Sequence, residues 1–180
     1  MTFSLALHPA SPWSLESLKT VVQIRWEDDH LALCYSLDGP LLDLCLPRPS
    51  VVQERRDELW QNTCFELFLR QKAIPAPYLE FNFSPDGNWA FYRFSGYRHE
   101  MQRPETTSKP EVSLQSSPDR LTFSVRIPTD MIAPHFNANQ SHDAGLAIIL
   151  EKNTGEHSYW AALHPSDKPD FHHPESFLPF

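Results

Sequence analysis

Apolar and polar residues alternate through most of this chain, and an alternation of that kind predicts β-strands. Short alternating runs cover residues 21–26, 31–37 and 41–46, with Asp28-Asp29 and Asp38-Gly39-Pro40 as turns between them. A polar connection over 47–58 carries Pro47 and Pro49. The strongest strand signals follow, at 63–70, 78–84 and 88–95. Residues 97–110 read as an exposed polar loop. Two further hairpins are expected, 111–115 with 121–127 around Ser117-Pro118-Asp119, and 145–151 with 157–163 around Asn153-Thr154-Gly155. One helical turn is expected over 129–135, capped by Thr129 or Asp130. The tail, 165–180, is irregular and punctuated by proline. About ten short strands with almost no helix predict an all-β sandwich or barrel of antiparallel strands. A parallel α/β fold needs helices between its strands, and the spacing leaves no room for them.

The hairpin over 78–95 also assigns faces. With Asp86-Gly87 as a two-residue loop, Ser84 opposes Trp89, Asn82 opposes Phe91, and Glu80 opposes Arg93. One face then holds Phe81, Phe83, Ala90, Tyr92 and Phe94, a core face. The other holds Glu80, Asn82, Ser84, Trp89, Phe91 and Arg93. The preceding strand divides in the same way, with Phe65, Leu67 and Leu69 inward and Cys64, Glu66, Phe68 and Arg70 outward. Aromatic rings among Glu66, Glu80, Asn82 and Arg93 admit two readings. One is a Glu80–Arg93 cross-strand ion pair under a covering loop. The other is a ligand platform, where rings give flat apolar contact and directional groups hold hydroxyls, a combination that suits a sugar.

Composition narrows the classes. At 180 residues, 41% hydrophobic and 12% aromatic, the chain has ample material for one core, and one domain over 1–180 is expected. Seventeen prolines against five glycines suit strands joined by proline-held loops. A net charge of −8 with no basic face argues against nucleic acid or an anionic membrane as partner. Cys34, Cys45 and Cys64 are odd in number and irregular in spacing, so no disulfide framework is read, although a Cys34–Cys45 bridge stays open. Residues 1–13 lack the basic start and long apolar run of a signal peptide, and no stretch approaches a membrane span. Cytoplasmic residence is the expectation. The pattern leaves oligomeric state open.

The run 57–69, from Asp57-Glu58-Leu59-Trp60 through Cys64-Phe65-Glu66-Leu67, resembles the central segment of the DOMON-like superfamily. Within it, the chain is similar to the bacterial group related to family 9 carbohydrate-binding modules. The run 78–89, the closing Tyr159-Trp160-Ala161-Ala162-Leu163-His164-Pro165 and Lys168-Pro169-Asp170-Phe171-His172-His173-Pro174 extend the resemblance over most of the chain. It implies a two-sheet antiparallel β-sandwich. It also implies a mono- or disaccharide held between two tryptophans, with a glutamate and an arginine on its hydroxyls. By motif these are Trp60 and Trp160, Glu66 and Arg93, with Glu80, Asn82 and Trp89 lining the platform. Those relatives usually sit on secreted enzymes, whereas no signal is read here.

Other constellations carry less. His164, Asp170, His172 and His173 have the ligand types of a transition-metal site, without the spacing of a compact metal motif. They frame an alternative reading as a metal-dependent hydrolase. The resemblance also raises haem, with Met101 paired to His157 or His164, but a methionine in a polar loop is a weak ligand signal. Glu66 and Glu80 on one face form a possible acid/base pair, which a nearby Arg93 would hold ionised. Cys64 has no base beside it in the pattern, and there is no phosphate loop or serine triad. The expectation is a non-catalytic carbohydrate-binding module without cofactor; the alternative from another class is a protein-interaction domain using the same aromatic face.

Overall fold

The computed structural model describes residues 1–12, 17–71, 77–136 and 141–180. Among these lie eleven strands: β1 Thr2–Leu7, β2 Lys19–Trp26, β3 His30–Asp38, β4 Cys64–Gln71, β5 Tyr78–Phe83, β6 Trp89–Phe94, β7 Glu111–Ser116, β8 Arg120–Pro128, β9 His142–Glu151, β10 His157–Ala161 and β11 Leu178–Pro179. Every strand pairing is antiparallel. The order is β6-β5-β4-β9-β10-β1-β2-β3-β8-β7, with β11 beside β9. Strand β1 turns the corner between two layers, since residues 2–5 pair with β2 while Ala6 and Leu7 pair with β10. The sheet therefore curls on itself into an all-β sandwich, as the strand spacing predicted.

The core lies between the layers. Val22, Ile24, Leu33, Tyr35 and Phe123 come from one side, and Phe65, Leu67, Phe81, Phe83 and Ile148 from the other. Phe65 stacks on Phe123 across the gap, with centroids 4.1 Å apart. The Tyr35 hydroxyl donates to the Glu66 carbonyl at 2.9 Å, which satisfies a buried polar group and ties β3 to β4.

The two layers differ in how they meet water. Strand β2 alternates between buried and solvent-facing positions, as a sheet with one wet face should. Strand β5 is buried at every position and β4 at all but one. Their second face is covered by the tail and the loops, and carries a second apolar cluster that includes Cys64, Phe68, Tyr78, Tyr92, Phe94, Phe171 and Phe177. Any polar group on that face is consequently held out of bulk solvent.

Three expectations change. Residues 41–46 form no strand: Leu41 and Leu44 are buried through a turn in which the Leu44 amide donates to the Leu41 carbonyl, and only an isolated bridge joins Leu44 to Lys152. The helical turn is a short 3-10 helix, Thr129–Met131, without a side-chain cap; the Asp130 carboxylate accepts from Ser108 instead. The Cys34–Cys45 bridge that the sequence left open does not form, and all three cysteines are free thiols.

The third concerns register. Strands β5 and β6 pair Phe83 with Trp89, Phe81 with Phe91, Glu80 with Tyr92 and Leu79 with Arg93. The loop holds three residues, because Pro85 suits the first central position of a type I turn and only Gly87 takes a positive φ, 92°. The Gly87 amide donates to the Ser84 carbonyl, and the Ser84 amide to the Asn88 carbonyl. One extra loop residue moves every β6 side chain to the other face. Trp89 and Phe91 join the core, while Ala90, Tyr92 and Phe94 share the second face with Tyr78, Glu80 and Asn82. The Glu80–Arg93 pair therefore does not form.

Candidate functional site

The second face of β4, β5, β9 and β10 opens into a cavity of about 480 Å³. Its floor is Glu66 of β4, Glu80 of β5, Ile149 of β9 and Tyr159 of β10. Trp60 stands at one wall on a 3-10 helix, Leu59–Gln61, and the tail supplies Phe171 and His172 at another. Arg98 and Met101 approach from the loop after β6. Trp60 is 37% exposed, whereas Glu66 and Glu80 are 3% and 5% exposed, so a partly open ring stands over two sunken acids.

The register places these acids. Glu66 pairs with Asn82 and Phe68 with Glu80, which makes Glu66 and Glu80 diagonal neighbours on one face. Asn82 Nδ2 donates to Glu80 Oε1 at 2.7 Å, while Asn82 Oδ1 has no partner among the described residues. Tyr78 and His172 form a second line of contacts. The Arg98 amide donates to the Tyr78 oxygen at 3.2 Å, and the Tyr78 hydroxyl lies 2.7 Å from His172 Nδ1. With the hydroxyl donating to Nδ1, the ring carries its proton on Nε2, which faces Glu80 Oε2 at 3.8 Å. That gap is too long for a direct hydrogen bond. The Arg98 guanidinium is committed to Asp170 at 2.9 Å, and the Tyr97 hydroxyl donates to the same carboxylate. Arg98 takes a left-handed backbone, φ 49°, to make this turn.

Burial sets the protonation. It raises Glu80 to about 7, against the Asn82 hydrogen bond and the Arg98 charge. It raises Glu66 well above the usual carboxylate range, helped by the charge of Glu80. Burial and then Arg98 lower His172 to about 4, so this imidazole is neutral near pH 7. The Cys64 thiol is pushed well up by burial and is no nucleophile. The cavity thus presents carboxyl groups able to donate as well as accept, a neutral ring N–H, and aromatic walls.

The structure gathers five of the residues singled out by sequence around this cavity: Trp60, Glu66, Glu80, Met101 and His172 line it, and Asn82 braces Glu80. Three others lie elsewhere. Trp89 is in the core with the Arg55 guanidinium 5.6 Å from its ring. Trp160 faces the core opposite Ile148, its Nε1 donating to Ser158. Arg93 turns to Gln102 and lines a separate cleft with His135. Arg98, Tyr159 and Phe171 stand at the cavity instead. Tyr159 sits one residue from Trp160, and strand alternation sends the two to opposite faces. Phe171 lies in the tail segment that carried the resemblance, while nothing local marks Arg98 within a polar loop.

The metal candidates do not converge. His164 Nε2 bonds the Ala6 carbonyl, Asp170 holds Arg98 and Tyr97, His172 meets Tyr78, and His173 accepts from the Glu175 amide. Among the described residues no three metal-ligating side chains cluster. No helix among them is long and apolar enough to cross a membrane.

No protein-family model matches the chain, and no curated protein sequence does. Its fold is found among solved structures. A "putative carbohydrate-binding protein" of Bacteroides uniformis aligns over 98% of this chain and 85% of its own, with TM-score 0.64 and 13% identity. A family 9 carbohydrate-binding module of Caldicellulosiruptor kristjanssonii, in complex with glucose, aligns over 97% of this chain and 79% of its own, with TM-score 0.51 and 8% identity. The cellotriose complex of a family 9 module from that organism aligns over 98% and 77%, again with TM-score 0.51 and 8% identity. These likenesses establish the sandwich.

Proposed function

We propose that this chain is a non-catalytic carbohydrate-binding module that takes a mono- or disaccharide in the cavity over Glu66 and Glu80. The observation that carries the reading is the pairing of a partly exposed ring, Trp60, with sunken, directional hydrogen-bonding groups in a space of about 480 Å³. A pyranose has flat C–H faces for Trp60, Tyr159 and Phe171, and hydroxyls for Glu66, Glu80 and the His172 N–H. Similar folds hold glucose and cellotriose, which supports the ligand class. A binding role fits better than hydrolysis, because the two acids lie side by side on the cavity floor. A glycosidase needs carboxyl groups flanking the bond it breaks. A protein-docking face calls for a broad flat apolar patch, whereas this face sinks into a cavity.

Isothermal calorimetry with glucose, cellobiose and cellotriose tests the proposal. Saturable binding that Trp60→Ala weakens by about tenfold or more is expected, since loss of a ring contact is worth about 1–2 kcal/mol. Absence of binding at millimolar sugar, or binding indifferent to Trp60→Ala, overturns it.

A further inference from the structure

The charges around the cavity leave an imbalance. Arg98 and Asp170 hold each other at 2.9 Å. Behind Trp60, the Tyr92 hydroxyl donates to Asp57, which is itself paired with Arg103 at 2.9 Å. His172 is neutral, and Tyr78 and Cys64 keep their protons because burial raises both. With these groups matched or uncharged, Glu66 and Glu80 remain. Glu66 is 3% exposed and lines the cavity, and among the described residues its carboxyl group meets a donor only at the Cys64 thiol. Glu80 Oε2 has its nearest basic atom 3.8 Å away, on a ring that carries no charge near pH 7. Two acids on adjacent strands, aimed into a ring-walled space and with no cation committed to them among the described residues, form a receptor for a positive charge.

We propose that the cavity selects an amino sugar, its ammonium group seated between Glu66 and Glu80 and its ring against Trp60. This rests on the carbohydrate reading and names the substrate class within it. An ammonium supplies three donors to two carboxylates, and the aromatic walls favour a cation over a neutral group. A neutral hexose brings no charge to favour ionisation of either acid, both of which burial holds above the usual carboxylate range. A bound ammonium favours their ionised forms, so its arrival expels protons into the buffer.

The test is calorimetry near neutral pH with glucosamine, N-acetylglucosamine and glucose, each in two buffers of different ionisation enthalpy. Glucosamine is expected to bind about tenfold more tightly than the other two, the equivalent of one pKa unit of coupling to the acids. Its binding heat is expected to vary with buffer, reporting proton release. In the double variant Glu66→Gln/Glu80→Gln the preference for glucosamine over glucose is expected to vanish. Glucose binding as tightly as glucosamine, with no proton release, overturns this inference and leaves the carbohydrate reading intact. Failure of all three sugars to bind overturns both. Should the double variant fold poorly, the affinity ratio and proton release of the unaltered chain decide the matter alone.

Discussion

Replacing Glu80 by Gln is expected to make this protein more stable at neutral and alkaline pH, by an amount its burial fixes. The carboxyl titrates near 4.5 in an unfolded chain and at about 7 in the fold, because burial penalises its charge. Between those values the native state holds a proton that the unfolded state has lost, so stability falls as pH rises through the window. Above about pH 7 the penalty is complete. At about 1.4 kcal/mol per pH unit it amounts to about 3 kcal/mol. Glutamine has the same shape, still accepts from Asn82 Nδ2, and carries no charge. Urea unfolding at about pH 4.5 and about pH 8 reads the effect directly. With a slope of about 2 kcal/mol per M, the variant's midpoint should exceed the parent's by about 1.5 M at the higher pH. At the lower pH the two should nearly coincide. Equal midpoints at both values, or a variant destabilised by the same amount at each, would refute the argument that burial governs this carboxyl group.

Three further outcomes are expected. His172 should keep a neutral imidazole with its proton on Nε2 down to about pH 5, as its ring ¹⁵N shifts in a pH titration will report. Phe65→Ala removes the ring stacked on Phe123 and should cost about 3–5 kcal/mol in denaturant unfolding, with Phe123 left facing a void. Gly87→Ala imposes a left-handed backbone on an L-residue and drives a new Cβ to 2.5 Å from the Gln53 side chain; a loss of about 1 kcal/mol or more is expected in the same assay.

The alternation of polar and apolar residues was enough to locate β2 to β10 and the inward set Phe65, Leu67 and Leu69, because a sandwich core imposes period two on each strand. It also marked Glu66 and Glu80, since acids inside aromatic strands are conspicuous in any register. Faces were harder to read on β6. They depended on one loop residue, and Pro85 with Gly87 favours a three-residue connection over the two-residue one that Asp-Gly alone invites. That single step moved Trp89 and Arg93 to the core side and Tyr92 and Phe94 to the cavity side. Strand β1 was missed although Phe3, Leu5 and Leu7 alternate, because so short a run looks the same in a tail as in a strand. Arg98 and Phe171 reach the cavity through long-range packing of a loop and the tail, and local patterns carry no signal for that. The second face becomes a cavity only with the tail laid across it.

The proposed ligand enters over Glu66 and Glu80 and not beside Arg93 or Trp160, and a two-dimensional NMR titration with glucose and glucosamine distinguishes these places. Shifts are expected at the Trp60 indole N–H and the Tyr159 and His172 resonances, with Arg93, His135 and the Trp160 indole unmoved. Shifts centred on Arg93 and His135, or a spectrum unchanged by either sugar, would contradict this placement.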